Sequence, residues 1–451
     1  MLIIDNVISL APNSEPAADS ITNRPVTHFI TSASSPSIAP NPTPVPSHSK
    51  LDGSNNVFDV RSNGAVGDGK TDDTKAFKAA WDLACNKTSQ AKILVPKGYF
   101  FLLNPTEFQG PCQNNLTFQV DGTIIAQEDP KSWPSDADSW LVFNRVDGLT
   151  VQGGGLLDGK GENWWSCESC NNRPVALRFR TCKSLKLLGF GGSKLSVKNS
   201  PYFHVVIDQE CQNVTVDSIF IASPNTSPNT DGIHIASKDI FIRNSNISNG
   251  DDCISLGNGS ENIQIDNLDC RDGHGISIGS LGKDNSKGTV KNINVTNCNI
   301  TNSQNGVRIK TWASGSGLVS NVKFDHIRMN AVSNPIIIDQ FYCPNNNCDN
   351  KNNDNSELLI SDVTYSNIKG TYNTDTPAVY LNCSKKMPCV NITIADVQLL
   401  PSQGKTELSP ICKNASGCLG ENLQPKVTDL GKGSSQFFDD NSKKGIKCTN
   451  R

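Results

Sequence analysis

The segment Asn262-Ile-Gln-Ile has counterparts along most of the chain, and this repetition decides the fold. The similar segments are Asn213-Val-Thr-Val, Ile240-Phe-Ile-Arg, Asn292-Ile-Asn-Val, Asn321-Val-Lys-Phe, Leu359-Ile-Ser-Asp and Asn391-Ile-Thr-Ile. Polar and apolar residues alternate within them, as in a half-buried strand, and turn-forming residues fill the intervals. Strand units that recur every roughly 20–40 residues indicate a solenoid, whereas a β-sandwich shows turn signals every ~8–12 residues. The sequence therefore predicts an all-β protein, a right-handed parallel β-helix whose coils bury their apolar residues against one another.

One helical pattern precedes these strands, at residues 71–85. Its apolar residues share one helical face and are Ala76, Phe77, Ala80, Trp81 and Ala84. Thr71, Asp72 and Asp73 suit its first turn, where side-chain oxygens can accept from free backbone N–H groups. We expect this helix to cap the open N-terminal end of the β-helix, which otherwise exposes an unpaired edge.

Composition divides the chain into three parts. Residues 1–54 are rich in Pro, Ser, Thr and Asn, so we expect a disordered leader or pro-segment. Its apolar start is interrupted by Asp5 and Asn6, which makes it an atypical signal. Residues 55–430 are predicted to form the catalytic β-helix, with a C-terminal tail at 431–451. No stretch is long and apolar enough to span a bilayer.

Charge and cysteine content point to an extracellular protein. The net charge of −3 gives no bulk attraction to nucleic acid or membranes. Sixteen cysteines indicate an oxidising compartment, and several glycosylation sequons favour a secreted glycoprotein. Many of them lie in close pairs, Cys167/Cys170, Cys343/Cys348, Cys383/Cys389 and Cys412/Cys418, and the sequence leaves the disulfide connectivity open. The first pair lacks the second pair that a zinc site requires.

Three carboxylates are the candidate catalytic groups. Asp231 lies in Asn229-Thr230-Asp231, and Asp251 and Asp252 follow about one coil later, in Gly250-Asp251-Asp252-Cys253. Strands of neighbouring coils lie about 4.8 Å apart, so the acids would be close enough to share one substrate bond. A lone Asp here is explained by a turn. Two adjacent like charges are not, because a turn needs only one of them.

Three further residues continue this series over the next coils. His274 follows in Gly273-His274-Gly275, and Arg308 and Lys310 in Arg308-Ile309-Lys310. Strand alternation places Arg308 and Lys310 on one face. Carboxylates, a histidine and two cations on successive coils predict a catalytic cleft that binds a carboxylate-bearing substrate.

These four motifs together resemble those of the polygalacturonases, the glycoside hydrolases that cleave pectin. The resemblance covers residue 57 to the C-terminus and implies a right-handed parallel β-helix. It implies that Asp251 is the general acid, that Asp231 and Asp252 hold and activate the attacking water, and that His274 tunes the protonation of the acid. Substrate contacts are implied for Asn229, Arg308, Lys310 and Tyr342.

The resemblance also implies a partner and a location. The substrate is pectin or polygalacturonate, cleaved by an inverting mechanism without cofactor or metal, with endo attack favoured over exo. The enzyme is a monomer secreted to the cell wall or apoplast, where inhibitor proteins are its other partners. Two alternatives remain: a pectate-lyase-like enzyme, which uses calcium and an arginine base, and a catalytically silent pectin-binding β-helix protein. We expect like-charge crowding to raise one carboxyl pKa and so retain a proton.

A phosphate-loop pattern, G-x-x-x-x-G-K-T, occurs at residues 64–71 and on its own would suggest nucleotide binding. Asp72 and Asp73 would repel a phosphate at the following helix, and the chain lacks the alternating helices of an α/β sheet.

Other polar and aromatic residues receive structural interpretations. We predict that Cys253 forms a disulfide with Cys270 rather than acting as a nucleophile, and that His234 is structural. Paired Trp164 and Trp165 suit packing as well as sugar stacking.

Overall fold

The computed structural model describes residues 56–432 except 114, 171, 345–347, 349–354, 375, 403 and 405. The predicted leader at 1–54 and nearly all of the predicted tail at 431–451 lie outside the described residues. The described chain is mostly β, and its strands pair in parallel in two sheets.

The larger sheet contains 22 strands within the described ranges. They are β1 (Val57–Asp59), β2 (Asp68–Asp72), β3 (Ala91–Val95), β4 (Phe100–Leu103), β6 (Leu116–Val120), β7 (Thr123–Ala126), β9 (Thr150–Gly153), β10 (Leu156–Asp158), β12 (Lys186–Gly189), β13 (Leu195–Lys198), β15 (Gln212–Asp217), β16 (Ile219–Ala222), β18 (Lys238–Asn249), β20 (Glu261–Asp272), β22 (Lys287–Thr296), β23 (Asn299–Thr301), β25 (Ser316–Asp325), β26 (Arg328–Val332), β28 (Glu357–Tyr372), β30 (Cys389–Pro401), β32 (Ala415–Leu419) and β33 (Gly431–Lys432).

The smaller sheet contains 11 strands in the same part of the chain. They are β5 (Thr106–Gln109), β8 (Ser139–Asn144), β11 (Val175–Arg180), β14 (Val205–Asp208), β17 (Ile233–Ile235), β19 (Ile254–Leu256), β21 (Ile276–Leu281), β24 (Asn305–Thr311), β27 (Asn334–Asp339), β29 (Val379–Asn382) and β31 (Ile411–Lys413).

The chain passes from the larger sheet to the smaller one and back in each coil, so the predicted parallel β-helix is confirmed. Strand β18 pairs with both β15 and β16 on one side and with β20 on the other. Inward residues stack in register along the coils, as in the column Val214, Ile240, Ile263, Ile293 and Val322. Their burial forms one continuous apolar core.

The asparagines that mark the repeats form a ladder along the larger sheet. Asn262, Asn292 and Asn321 have φ values of 57°, 56° and 53°, a left-handed conformation that Asn tolerates better than most residues. Asn292 Nδ2 donates to Asn262 Oδ1 at 2.8 Å, and Asn321 Nδ2 donates to Asn292 Oδ1 at 2.8 Å. Asp362, with φ 58°, occupies the equivalent place in its coil. The repeat there therefore begins at Asp362, not at Leu359 as the sequence pattern suggests.

Helix α1 (Thr74–Cys85) begins three residues later than the sequence pattern predicts. Thr71 and Asp72 belong instead to strand β2, and Asp73 is the residue before the helix but makes no capping hydrogen bond. The predicted apolar face is buried. Phe77 and Trp81 pack on rings of the first coils, with Trp81 5.0 Å from Phe108, so this helix covers the end of the core as expected.

The other helical segments are short. Helix α2 spans Glu162–Trp165, and single 3-10 turns occur at Val60–Asn63, Pro130–Ser132 and Lys283–Asn285. Among the described residues, no helix combines the length and apolar character needed to cross a membrane.

In the segment with the phosphate-loop pattern, backbone N–H groups donate to carboxylates of the chain itself. The N–H groups of Val66 and Gly67 donate to Asp73 at 2.6 and 3.1 Å. Those of Lys70 and Thr71 donate to Asp68 at 2.8 and 2.7 Å. The backbone donors that would hold a phosphate are therefore already occupied.

Five disulfides join described cysteines: Cys85–Cys112, Cys167–Cys170, Cys253–Cys270, Cys343–Cys348 and Cys383–Cys389. The predicted Cys253–Cys270 bond is confirmed, and the Cys167–Cys170 bond leaves no thiolates for zinc. Cys412 and Cys418, although close in sequence, are not bonded to each other. Cys412 is a buried free thiol in the smaller sheet, while Cys418 lies in the larger sheet and is bonded elsewhere.

Candidate active site

The predicted site residues gather on the outer face of the smaller sheet. His234, Ser255, Ser277 and Arg308 form one outward column across β17, β19, β21 and β24. The acids lie just before these strands. Gly232 N donates to Asp252 O, and His274 N donates to Asp251 O, both at 2.8 Å, which fixes the coils against one another.

Asp252 is a buried carboxylate held by three donors. Lys310 Nζ donates to Oδ2 at 2.7 Å, and Arg308 Nη2 donates to Oδ1 at 2.8 Å. Ser277 Oγ also donates to Oδ1, at 2.7 Å, and accepts from Arg308 Nε at 3.1 Å. The side chain of Asp252 is 1% exposed. Two cations and a hydroxyl thus fix the position of this carboxylate.

Asp251 is paired with His274. His274 Nδ1 lies 3.0 Å from Asp251 Oδ1, and Asn229 Nδ2 donates to Oδ2 at 3.4 Å. Burial opposes ionisation of Asp251, but His274, Lys310 and the N–H of Asp252 together hold its pKa below the usual value.

Of the three carboxyl groups, Asp231 is the one whose protonated form is favoured. Burial raises its pKa well above the usual value, and the neighbouring charges of Asp252 and Asp251 raise it further. The expected rise in one carboxyl pKa thus falls on Asp231, whereas the sequence interpretation made Asp251 the acid. The difference arises because Asp251 has His274 as a partner, while Asp231 is more deeply enclosed.

Tyr342 lies beside both site cations. Its ring centroid is 5.4 Å from Lys310 Nζ and 5.9 Å from the Arg308 guanidinium carbon. All eight residues predicted for the site are thereby brought to one surface: Asn229, Asp231, Asp251, Asp252, His274, Arg308, Lys310 and Tyr342.

Two supporting residues were not identified from the sequence. Ser277 joins Asp252 to Arg308, as described above, and its position three residues after His274 matches that of Ser255 after Asp252. That repeated spacing is the sequence signal from which Ser277 could have been identified. His204 is fully buried, and its Nδ1 donates to the backbone oxygen of Asp231 at 3.1 Å. No motif marked His204, because its role depends on a contact 27 residues away.

Three residues of this site carry donor atoms of the kind that bind metal ions. Single donor atoms of Asp251, Asp252 and His274 lie within 4.8 Å of one another. However, both oxygens of Asp252 already accept from Lys310 or Arg308, and these cations would repel a metal ion. The donor set therefore suits proton transfer better than metal binding.

Two structural interpretations from the sequence agree with the contacts. His234 stacks on Phe203 at 5.0 Å, and its Nδ1 is 2.8 Å from Ser255 Oγ. Trp164 is buried against Trp133, with ring centroids 5.4 Å apart, so it serves packing. Trp165 Nε1 donates to Ser200 O at 3.0 Å.

Comparison with known proteins agrees with the site. The family described as "Glycosyl hydrolases family 28" matches residues 85–421. A probable polygalacturonase of Arabidopsis thaliana is 42% identical over 382 residues, 82% of this chain and 84% of the relative. A polygalacturonase of Cryptomeria japonica is 42% identical over 395 residues, 85% of this chain and 74% of the relative.

A solved structure shares the architecture. The endo-xylogalacturonan hydrolase from Aspergillus tubingensis superposes with a TM-score of 0.71 at 26% identity, covering 84% of this chain and all of the other. Together with the matched family and the two plant relatives, this likeness shows that the chain belongs to glycosyl hydrolase family 28.

Proposed function

We propose that this protein is a polygalacturonase that hydrolyses the α-1,4-galacturonosidic bonds of homogalacturonan in pectin. One observation carries the proposal: three carboxyl groups lie beside Arg308 and Lys310 on an outer face of the β-helix. Carboxyl groups supply acid and base for glycoside hydrolysis, and the cations suit a substrate whose sugars bear carboxylates.

The pair of Asp251 and His274 supplies the proton. His274 Nδ1 lies 3.0 Å from Asp251 Oδ1, so a proton can move along this contact to Asp251 and from Asp251 to the glycosidic oxygen. Although the pKa of Asp251 is lowered, this contact with His274 lets Asp251 act as the general acid.

Asp252 and Asp231 hold the attacking water, and because the raised pKa of Asp231 favours its protonated form, Asp252 is the carboxylate that takes the proton of the water. Asp252 accepts hydrogen bonds from Lys310, Arg308 and Ser277, which fix the direction of its carboxylate, so it can orient the water and receive its proton. Direct attack of this water on the anomeric carbon inverts its configuration, in contrast to the covalent intermediate of a retaining enzyme.

The setting is extracellular. Five disulfides require an oxidising compartment, and the plant relatives named above are polygalacturonases. We propose secretion to the cell wall, where the enzyme acts as a monomer and meets inhibitor proteins. Endo attack is proposed, and the length distribution of the first products tests it: a spread of lengths fits endo attack, and single sugars alone contradict it.

The deciding experiment is reducing-sugar release from polygalacturonate in EDTA. A polygalacturonase remains active and gives saturated products. A pectate-lyase-like enzyme loses activity without calcium and gives unsaturated products that absorb in the ultraviolet. A silent binding protein releases nothing while still retaining polygalacturonate in a sedimentation assay.

A further inference from the structure

Three loops on one edge of the smaller sheet bring Lys283, Trp312 and Tyr342 together. Lys283 follows β21, Trp312 follows β24, and Tyr342 follows β27. Trp312 N donates to Leu281 O at 2.9 Å, and Tyr342 N donates to Thr311 O at 3.0 Å. The loops are therefore tied to one another in coil order.

A close contact between Gly282 and Gly315 fixes the position of the first two loops relative to each other. A Cβ on Gly282 would lie 2.4 Å from the Cα of Gly315, and Gly282 has φ 83°. Any other residue would push these loops apart. The approach holds Lys283 above Trp312, with Lys283 Nζ 5.8 Å from the centre of the indole ring.

The side chains of Lys283 and Trp312 are connected through Tyr342 to the proposed catalytic centre. Trp312 meets Tyr342 edge-on, with ring centroids 6.1 Å apart and planes at 86°. Tyr342 is 5.4 Å from Lys310 Nζ, which in turn contacts Asp252. Lys310, Tyr342, Trp312 and Lys283 thus form a continuous surface of alternating charge and ring that leads away from the acids.

Lys283 differs from the cations on the opposite side of the site. Arg178 is ion-paired with Asp138 and Asp208, and Arg180 with Asp138, which leaves little charge for a ligand. Lys283 is exposed and makes no ion pair with any described carboxylate. Its contact with Trp312 restrains the ammonium. Because cation–π pairs at exposed sites are weak, little free energy is lost when the ammonium turns to a ligand.

Trp312 is poorly explained by stability alone. Its side chain is half-exposed, while its Nε1 is enclosed and finds no hydrogen-bond partner among the described residues. An enclosed unpaired N–H disfavours folding, and a phenyl ring would avoid that cost. The indole offers a larger flat apolar face, which suits stacking on a sugar ring.

We propose that Trp312 and Lys283 form an outlying subsite for one uronate unit of the substrate. Trp312 stacks on the sugar ring, and Lys283 pairs with its free carboxylate. The subsite extends the cleft past Lys310 and Tyr342, and it selects chains that are long enough to reach it and de-esterified at that unit. This inference rests on the proposed galacturonan hydrolysis.

The test compares variants on galacturonate oligomers of increasing length. Trp312→Ala should lower kcat/KM about 10-fold on long oligomers, the scale of losing one buried apolar contact, mainly through KM. Trp312→Phe should recover part of the loss because a smaller ring remains. Lys283→Gln should lower kcat/KM about 2- to 5-fold on de-esterified oligomers. It should have no effect where the carboxyls are methylated. Lys186→Gln, an exposed lysine on the larger sheet, is the matched control.

The outcomes separate this inference from the proposed function. If wild type does not hydrolyse polygalacturonate, the function itself fails. If wild type is active and the Trp312 and Lys283 variants match Lys186→Gln at every length, the subsite does not exist. Equal losses on the shortest cleaved oligomer and on long ones also overturn it, because a supporting role in folding would act regardless of length.

Discussion

Lys310 Nζ donates to Asp252 Oδ2 at 2.7 Å, so the lysine that we propose to bind the substrate also holds the carboxylate that we propose to act on the water. The side chains of Lys310 and Asp252 are 9% and 1% exposed. A charge-assisted bond in such an enclosed place fixes the position of the Asp252 carboxylate. In the proposed mechanism, substrate recognition and acid–base chemistry are therefore coupled through one ammonium group.

Replacement of Lys310 should affect both tasks. Lys310→Met should lower kcat/KM about 10- to 150-fold on polygalacturonate, the equivalent of one charge-assisted hydrogen bond. On methyl-esterified oligomers, part of the loss should remain in kcat, because Asp252 has lost a donor. Steady-state kinetics on both substrates checks this. Lys310→Arg, which retains a cation, is the control, and unchanged kcat on the esterified oligomers would contradict the coupling.

Asp251→Asn keeps the shape of the acid but cannot transfer a proton. We expect kcat to fall by about 10²–10⁴, the usual contribution of a general acid, with the thermal unfolding midpoint unchanged within about 2 °C. Rate measurements on the purified variant, with circular dichroism for folding, provide the test. Asp269→Asn, an acid on the larger sheet outside the site, should retain wild-type activity. Near-normal kcat for Asp251→Asn would remove Asp251 from the mechanism.

Asp231 should make the protein less stable at neutral pH. Its pKa is raised by burial and by Asp252 and Asp251, so the folded state retains a proton that the unfolded chain has already lost. Folding stability therefore falls as pH rises from the ordinary carboxyl value toward the raised one, and stays low above it. Asp231→Asn should raise the unfolding midpoint at pH 7 by about 1 °C or more and have no such effect below pH ~4. A midpoint that is lower at pH 7 than in wild type would contradict the raised pKa.

The fold could be predicted from the repeats because each coil must bury the same apolar positions, and a period survives variation in single residues. The start of α1 was misplaced because Thr71 and Asp72 suit a helix N-terminus by residue type, yet β2 pairs with β4 and extends the sheet through them. Strand pairing therefore outweighed the local preference of these two residues for a helix N-terminus.

The membership of the site followed from spacing, but its protonation did not. Spacing predicts which coils meet, so Asp231, Asp251 and Asp252 could be placed together. Which of them keeps a proton depends on burial and on the single contact of His274 with Asp251. Likewise, the contact of Lys310 with Asp252 requires side-chain geometry, which the order of residues along the chain does not specify.

The asparagine ladder should stabilise the β-helix through both conformation and hydrogen bonds. Asn262 has φ 57°, donates to Asp239 at 2.7 Å and accepts from Asn292 at 2.8 Å. Asn262→Ala should lower stability by about 1–3 kcal/mol, because Ala pays for the left-handed conformation and makes neither bond. Asn262→Gly should lose less, since Gly accepts this φ. Thermal unfolding of the two variants checks this order, and equal midpoints would mean that the conformation contributes nothing.

The stereochemical outcome tests the role of the water. Asp252 is held by Lys310, Arg308 and Ser277, and among the described residues its Oδ2 accepts only from Lys310, so Oδ2 can still accept from a water. A carboxylate so restrained is a poor covalent nucleophile, which favours attack by water in a single displacement. Proton NMR of the first-formed product from an α-linked galacturonan should therefore show the β anomer. The spectrum must be recorded before mutarotation equilibrates the anomers, with chemically equilibrated oligomer as the reference. An initial α anomer would require a covalent glycosyl intermediate and would overturn the assignment of Asp252 and Asp231 to the water.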